Sequence, residues 1–200
     1  MSKSHLIIGI SGASGIIYGI RLLEELKTLP VETHLVISKA AQLTNSYETS
    51  LSLAEIKALA THYHPHNDLA ATIASGSFKT LGMIVAPCSM KSLGEIAHGI
   101  GGNLLTRAAE VVLKERRRLV LMPREAPLHL VHLQNMLTVT QMGGIIYPPV
   151  PAFYQAPKTI MDIVNDNVAR VLDLFSLDSG LLKRWGEEPT SPPISHTHST

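Results

Sequence analysis

Leu6-Ile7-Ile8-Gly9-Ile10-Ser11-Gly12-Ala13-Ser14-Gly15 is the stretch that decides the fold. It opens as a continuous apolar run rich in β-branched residues and closes as a string of small ones. A strand with one wet face alternates apolar and polar residues, so an unbroken run reads as a strand buried on both faces. From Ile16 to Leu29 the residues Leu22, Leu23 and Leu26 then fall at helical spacing. Strand, tight turn and helix, in that order, form the opening unit of an α/β sheet.

The same grammar repeats outward. Thr33 to Ile37 reads as a second strand and Ala40 to Glu48 as a helix. Met83 to Ala86 is a third strand, stopped by Pro87, and Leu119 to Met122 is a fourth, closed by Pro123. Between these two, Asn103 to Arg117 has helical periodicity and a basic end. Gly143 to Tyr147 is a fifth strand running into Pro148-Pro149-Val150-Pro151, and the last helix is expected from Lys158 to Leu174. The pattern predicts a mostly parallel sheet with helices on both faces. Ligands of such sheets bind outside the carboxyl ends of the strands. The turns at Ser11 to Ser14, Ser38, Ser89 and Arg124-Glu125 are therefore expected to converge on one site. One domain is expected over 1–186, followed by a disordered tail rich in Pro, Ser and Thr over 187–200.

Composition narrows the function. A formal net charge of +1 gives no broad field for nucleic acid or an anionic membrane, so any anion site must be local. With 4% aromatic residues, a stacking platform for single-stranded nucleic acid is not expected. The single cysteine, Cys88, excludes an internal disulfide framework and fits a reducing compartment. No apolar run is long enough to span a membrane, and a cytoplasmic protein is expected.

Each candidate motif has a plain alternative. Gly9-Ile-Ser-Gly12-Ala-Ser-Gly15 lets backbone N–H groups approach an anion at a helix N-terminus, yet a simple tight turn fits equally well. It lacks the dinucleotide spacing of glycines, which favours a mononucleotide phosphate or another small anion. In Pro87-Cys88-Ser89-Met90-Lys91-Ser92 the serines serve either as helix caps or as donors to a phosphate, and Cys88 reads best as a small buried hydrophobe. Arg107 and Lys114 share a helix face and are placed to meet one anion, whereas Arg116, Arg117 and Arg118 read as a solvated face. Arg124 follows a strand-ending proline, where a guanidinium binds phosphate bidentately. Tyr154 ends a rigid proline-rich segment, and Arg170 lies within the last helix as an ordinary amphipathic residue or as an inward phosphate ligand. The histidines His62, His64 and His66, and His129 with His132, gain no completing set of Cys or carboxylate ligands, so no metal site is expected.

Seven segments together resemble the UbiX and phenylacrylic-acid-decarboxylase family of flavin prenyltransferases, from about Leu6 to Trp185. They are Gly9 to Gly15, Ile37 to Ala41, Pro87 to Leu93, Asn103 to Ala109, Leu113 to Arg117, Pro123 to Leu128 and Pro148 to Tyr154. The resemblance implies a flavodoxin-like Rossmann fold assembled as a dodecamer, and metal-independent transfer of dimethylallyl from dimethylallyl phosphate to FMNH2. The product would serve a UbiD-type decarboxylase. It also implies that Gly12, Ala13, Ser14, Ser38, Ser89, Met90, Lys91, Ser92 and Arg124 hold FMN. Tyr154 and Arg170 would bind the allylic phosphate, helped by Lys114 and Arg107 of a neighbouring subunit. Ser14, Glu48 and Glu125 would be the polar catalytic groups. Two other readings stand beside this one. A decarboxylase of the phosphopantothenoylcysteine type carries Pro-x-Met-Asn where this chain has Pro-Cys-Ser-Met. A non-catalytic flavin carrier would need neither Tyr154 nor Arg170.

Overall fold

The computed structural model describes residues 4–181, and among these, apolar runs bounded by turn residues produce the central ones of six strands. The six are β1 (Ser4–Ile10), β2 (Val31–Ile37), β3 (His62–His64), β4 (Gly82–Cys88), β5 (Arg118–Pro123) and β6 (Ile145–Ile146). The helices are α1 (Ile16–Leu26), α2 (Lys39–Glu48), α3 (Leu53–Leu59), α4 (Met90–Ala97), α5 (Leu104–Lys114), α6 (Leu130–Gln141) and α7 (Ile160–Asp173). All strand pairs are parallel, in the order β3-β2-β1-β4-β5-β6. Without the short edge strand β3 this is the flavodoxin-like order, so the expected fold class holds. The chain leaves β1 in one direction along the sheet and returns past it to β4. The crevice at this reversal is where a ligand of such a sheet sits.

Two apolar layers hold the sheet. Leu6, Ile8, Ile10, Leu35 and Ile84 join α1 and α7 on one face. Ile7, Val36, Met83, Val85 and Leu121 join α4, α5 and α6 on the other. The central strands are buried on both sides, as their lack of alternation predicts. Each fully buried Leu or Ile contributes roughly 1.5–3 kcal/mol, so the central strands are the rigid frame for the loops at their ends.

Four elements differ from the sequence reading. β3 is a three-residue polar edge strand, His-Tyr-His, too short for a periodicity argument. α3 is seven residues long and begins with a capping box at Ser52 and Glu55. α6 carries exposed Leu130, Val131, Leu133 and Leu137 away from its buried side, so no amphipathic stripe announces it. β6 shrinks to two residues because Gly143 sits in the left-handed region at φ 95 and prevents an earlier start. The expected tail at 187–200 and the domain limit at 186 lie outside the described residues.

The solvated face expected at the end of α5 holds for Arg116 and Arg118, which are exposed, and fails for Arg117, which turns inward. Arg116 takes φ 56 and ends the helix. Arg117, with a side chain 17% exposed, donates to the carbonyls of Phe78 (2.6 Å) and Gly76 (2.8 Å). Arg118 donates to the carbonyl of Leu174 and lies over the Phe175 ring. Arg117 and Arg118 tie the chain to segments that a sequence window cannot connect to them.

Candidate active site

Ser11, the first residue after β1, stitches the crevice shut at its floor. Its buried hydroxyl donates to the Pro87 carbonyl at 2.9 Å and accepts from the Ser89 amide at 2.7 Å. The loops after β1 and β4 are thereby held side by side. Gly12 brings α2 against the same loop, since a Cβ there would lie 2.3 Å from the Ala40 Cβ. Ser38 caps α2 by accepting from the Ala41 amide at 3.1 Å, and its own amide donates to Ile10. Three expected loops therefore meet at one edge, on Gly12, Ser38 and Ser89.

The α1 N-terminus is filled from within the chain. Glu48, at the end of α2, accepts from the Gly15 amide at 2.9 Å and the Ile16 amide at 3.0 Å. Gly15 makes this geometry possible by adopting φ 104. The Ala13 amide turns inward to the Ser11 carbonyl. The negative charge favoured at this helix end is thus a carboxylate of the protein itself, and a ligand anion is left to other donors. Ser14 stands exposed at the rim beside it.

The α4 N-terminus is different. Ser89 caps it by accepting from the Ser92 amide at 3.2 Å, which leaves the Met90 and Lys91 amides without intrahelical acceptors. The Lys91 side chain points outward, 83% exposed, toward Glu95. Arg124 is placed next to this turn by its amide, which donates to the Cys88 carbonyl at 3.2 Å, and its side chain is exposed. Glu125 follows, exposed, and accepts from the Ala126 amide. Cys88 itself is wholly buried, and burial pushes its thiol up to about 12, so it stays a thiol and is no nucleophile.

A second polar group gathers on the α7 side. Tyr154 lies on a short 3-10 turn, Phe153–Gln155, and is 56% exposed. Gln155 fastens that turn to α7 through Asp166 at 2.7 Å. One helical turn on, Arg170 pairs with Asp173 at 3.1 Å. Arg107 and Lys114 do not join this group. Arg107 pairs with Glu110 on its own helix, and Lys114 pairs with Glu115 close to Gly76. Lys114 precedes β5 by a few residues, which places it at the amino end of the sheet, away from the crevice. Sequence reasoning passed over Ser11 as a bridge; its signal was a lone small polar residue directly after a doubly buried strand.

Likenesses to known proteins bear on this arrangement. A flavoprotein family model matches residues 1–174. The flavin prenyltransferase UbiX of Neisseria meningitidis serogroup B is 58% identical over 181 residues, 90% of this chain and 96% of that one. A crystal structure of AnUbiX (PadA1), in complex with FMN and dimethylallyl pyrophosphate, superposes with a TM-score of 0.91 at 49% identity, covering 94% of this chain and 100% of that one. A dodecameric FMN-dependent UbiX-like decarboxylase from Escherichia coli O157:H7 superposes with a TM-score of 0.89 at 53% identity, over 90% and 98%. With the fold, the small-residue crevice and these likenesses over most of the chain, the protein belongs to the UbiX family of flavin prenyltransferases.

Proposed function

We propose that this chain transfers dimethylallyl from dimethylallyl phosphate to reduced FMN, as a homo-oligomer of the dodecameric kind, and supplies the product to a UbiD-type decarboxylase. The observation that carries the reading is the presence of two distinct polar groups suited to an anion, one at the α4 turn and one around Tyr154 and Arg170 on the α7 side. The open amides of Met90 and Lys91, with the Arg124 guanidinium, suit the flavin phosphate. Tyr154 and Arg170, reached from the opposite helix layer, suit the allylic phosphate. Gly12 supports the fit, because any larger residue would fill the space between the loop and α2. Met90 and Ser92 belong to the flavin side through their place in the same turn.

Reduced FMN supplies an electron-rich ring that accepts the prenyl group. The residues do the rest. Arg170 and Tyr154 hold the phosphate and stabilise the charge that builds on it as the allylic C–O bond breaks. Holding both reactants in one orientation contributes potentially several kcal/mol. Glu48 is fixed as a hydrogen-bond acceptor by two amides beside Ser14, which supports reading the pair as the groups that receive or relay a proton. Glu125 stands next to Arg124, so its replacement by Gln is expected to slow transfer more than it weakens FMN binding; equal losses would count against a catalytic role. Lys114, at the amino end of the sheet, and Arg107, held by Glu110 on its own helix, are assigned to the site of a neighbouring copy. The exposed apolar residues of α6 suit burial between copies.

Anaerobic incubation with FMNH2 and either dimethylallyl phosphate or the pyrophosphate, followed by mass spectrometry of the flavin, tests the reaction. A gain of one five-carbon prenyl unit supports it. An unchanged flavin with both donors would leave a non-catalytic flavin carrier.

A further inference from the structure

Tyr147 has no part in the mechanism above, yet it stands where the second anion group is built. It follows β6 directly, at the carboxyl edge of the sheet, and its amide donates to the Leu121 carbonyl at 2.8 Å, which fixes the backbone. Its ring packs against the core layer formed by α1 and α7, beside Tyr18. From that position it senses Asp166 and Arg170 on α7, Tyr18 on α1 and Tyr154 on the 3-10 turn. The Asp166 carboxylate already accepts from Gln155, and Arg170 is already paired with Asp173. The Tyr147 hydroxyl makes no hydrogen bond among the described residues and is not among their fully buried, unpartnered side-chain atoms, so it faces accessible space. A half-buried phenol whose backbone is tied down, and whose one polar atom is left open beside an arginine, is a donor awaiting an acceptor.

We propose that the Tyr147 hydroxyl donates a hydrogen bond to the phosphate of the allylic substrate, completing with Tyr154 and Arg170 a three-point grip on that anion. This rests on the reading of the Tyr154–Arg170 group as the allylic phosphate site. Burial, and behind it the Asp166 charge, pushes the phenol up to about 12, so near neutral pH Tyr147 is a donor and no base. Its contribution is binding and charge stabilisation, without proton transfer.

The test uses the full chain loaded with oxidised FMN, which cannot turn over. Dimethylallyl phosphate is titrated calorimetrically into the wild type and into Tyr147→Phe, which keeps the ring and its packing. Loss of one hydrogen bond to a charged group predicts about tenfold weaker binding in the variant, with FMN affinity and thermal midpoint unchanged. Equal affinity for dimethylallyl phosphate overturns the inference, and so does a parallel loss of FMN affinity and stability, which would mark Tyr147 as a packing residue. If the wild type itself binds no dimethylallyl phosphate, the reading of the site fails, and not merely the place of Tyr147 in it.

Discussion

Two of the polar clusters among the described residues are built on opposite principles. At the carboxyl edge, the α4 amides, the Arg124 guanidinium and the Tyr147 hydroxyl are left open. On the β3 side of the sheet, His5, Glu32, His34, His62 and His64 project from three adjacent strands and satisfy one another. His34 bridges His64 at 2.9 Å and His5 at 3.2 Å, while Glu32 lies 3.3 Å from His62 and 3.6 Å from His5. Phe78 covers the rings of His5 and His34. By residue type alone the histidine face is the more conspicuous cluster. Both His34 nitrogens and one nitrogen of each of its histidine neighbours are engaged within the cluster or by Glu32, so the face reads as structure, whereas the quieter serines and amides are the ones with bonds still to make.

Breaking the open cluster should cost function and leave the fold alone. The largest effect is expected for Arg170→Ala: removing a charge donor from the departing phosphate should lower the prenyl-transfer rate by about 10²–10³ with FMN affinity nearly intact, as measured by single-turnover kinetics and flavin fluorescence. Arg124→Ala should weaken FMN binding by roughly ten- to a hundredfold, the loss of a charged hydrogen-bond donor, with the thermal midpoint unchanged. If instead Arg170→Ala abolished FMN binding, the separation of two anion sites would be wrong.

Breaking the closed cluster should cost stability and follow pH. Burial, then the neighbouring His62, His64 and His5 against the opposing Glu32, lowers His34 to about 4 from its ordinary 6.5. The unfolded chain therefore binds more protons between those values. Stability is present in full above about pH 6.5 and drains away as pH falls toward 4, by an amount on the order of 2 kcal/mol. His64, also lowered, adds to the slope in the same direction. Urea titrations from pH 7 to pH 4.5 read this directly, and His34→Gln should flatten the dependence. A wild-type stability that did not change across this range would contradict the closed cluster. The smallest effect belongs to Lys91→Ala. Its side chain is 83% exposed and pairs with Glu95, so FMN affinity should move by no more than about fivefold, in line with a surface ion pair.

The contrast also explains what the sequence could disclose. The buried strands β1, β2, β4 and β5 were legible because residues such as Leu6 to Ile10 and Leu119 to Met122 obey a local rule: a strand buried on both faces shows no alternation. The convergence of the turns that carry Gly12, Ser38, Ser89 and Arg124 was legible because a parallel sheet sends every strand-end turn to one edge. The destinations of Arg117 and of the Glu48 carboxylate were not, since both depend on partners more than thirty residues away in the chain. The histidine face was missed for a related reason. His5, His34 and His62 are scattered in the sequence and become neighbours only through strand register. Nor did α6 announce itself, because apolar residues on its exposed side erase the periodicity that marks a surface helix.

Glu48 already occupies the α1 end, which leaves the α4 turn as the proposed seat of the flavin phosphate. A crystal structure of the full chain with FMN and dimethylallyl phosphate measures this most directly. The expected result is the flavin phosphate against the Met90 and Lys91 amides and Arg124, the second phosphate against Tyr154 and Arg170, and Glu48 still bound to Gly15 and Ile16. A flavin phosphate seated on the Gly15 and Ile16 amides, with Glu48 displaced, would contradict it.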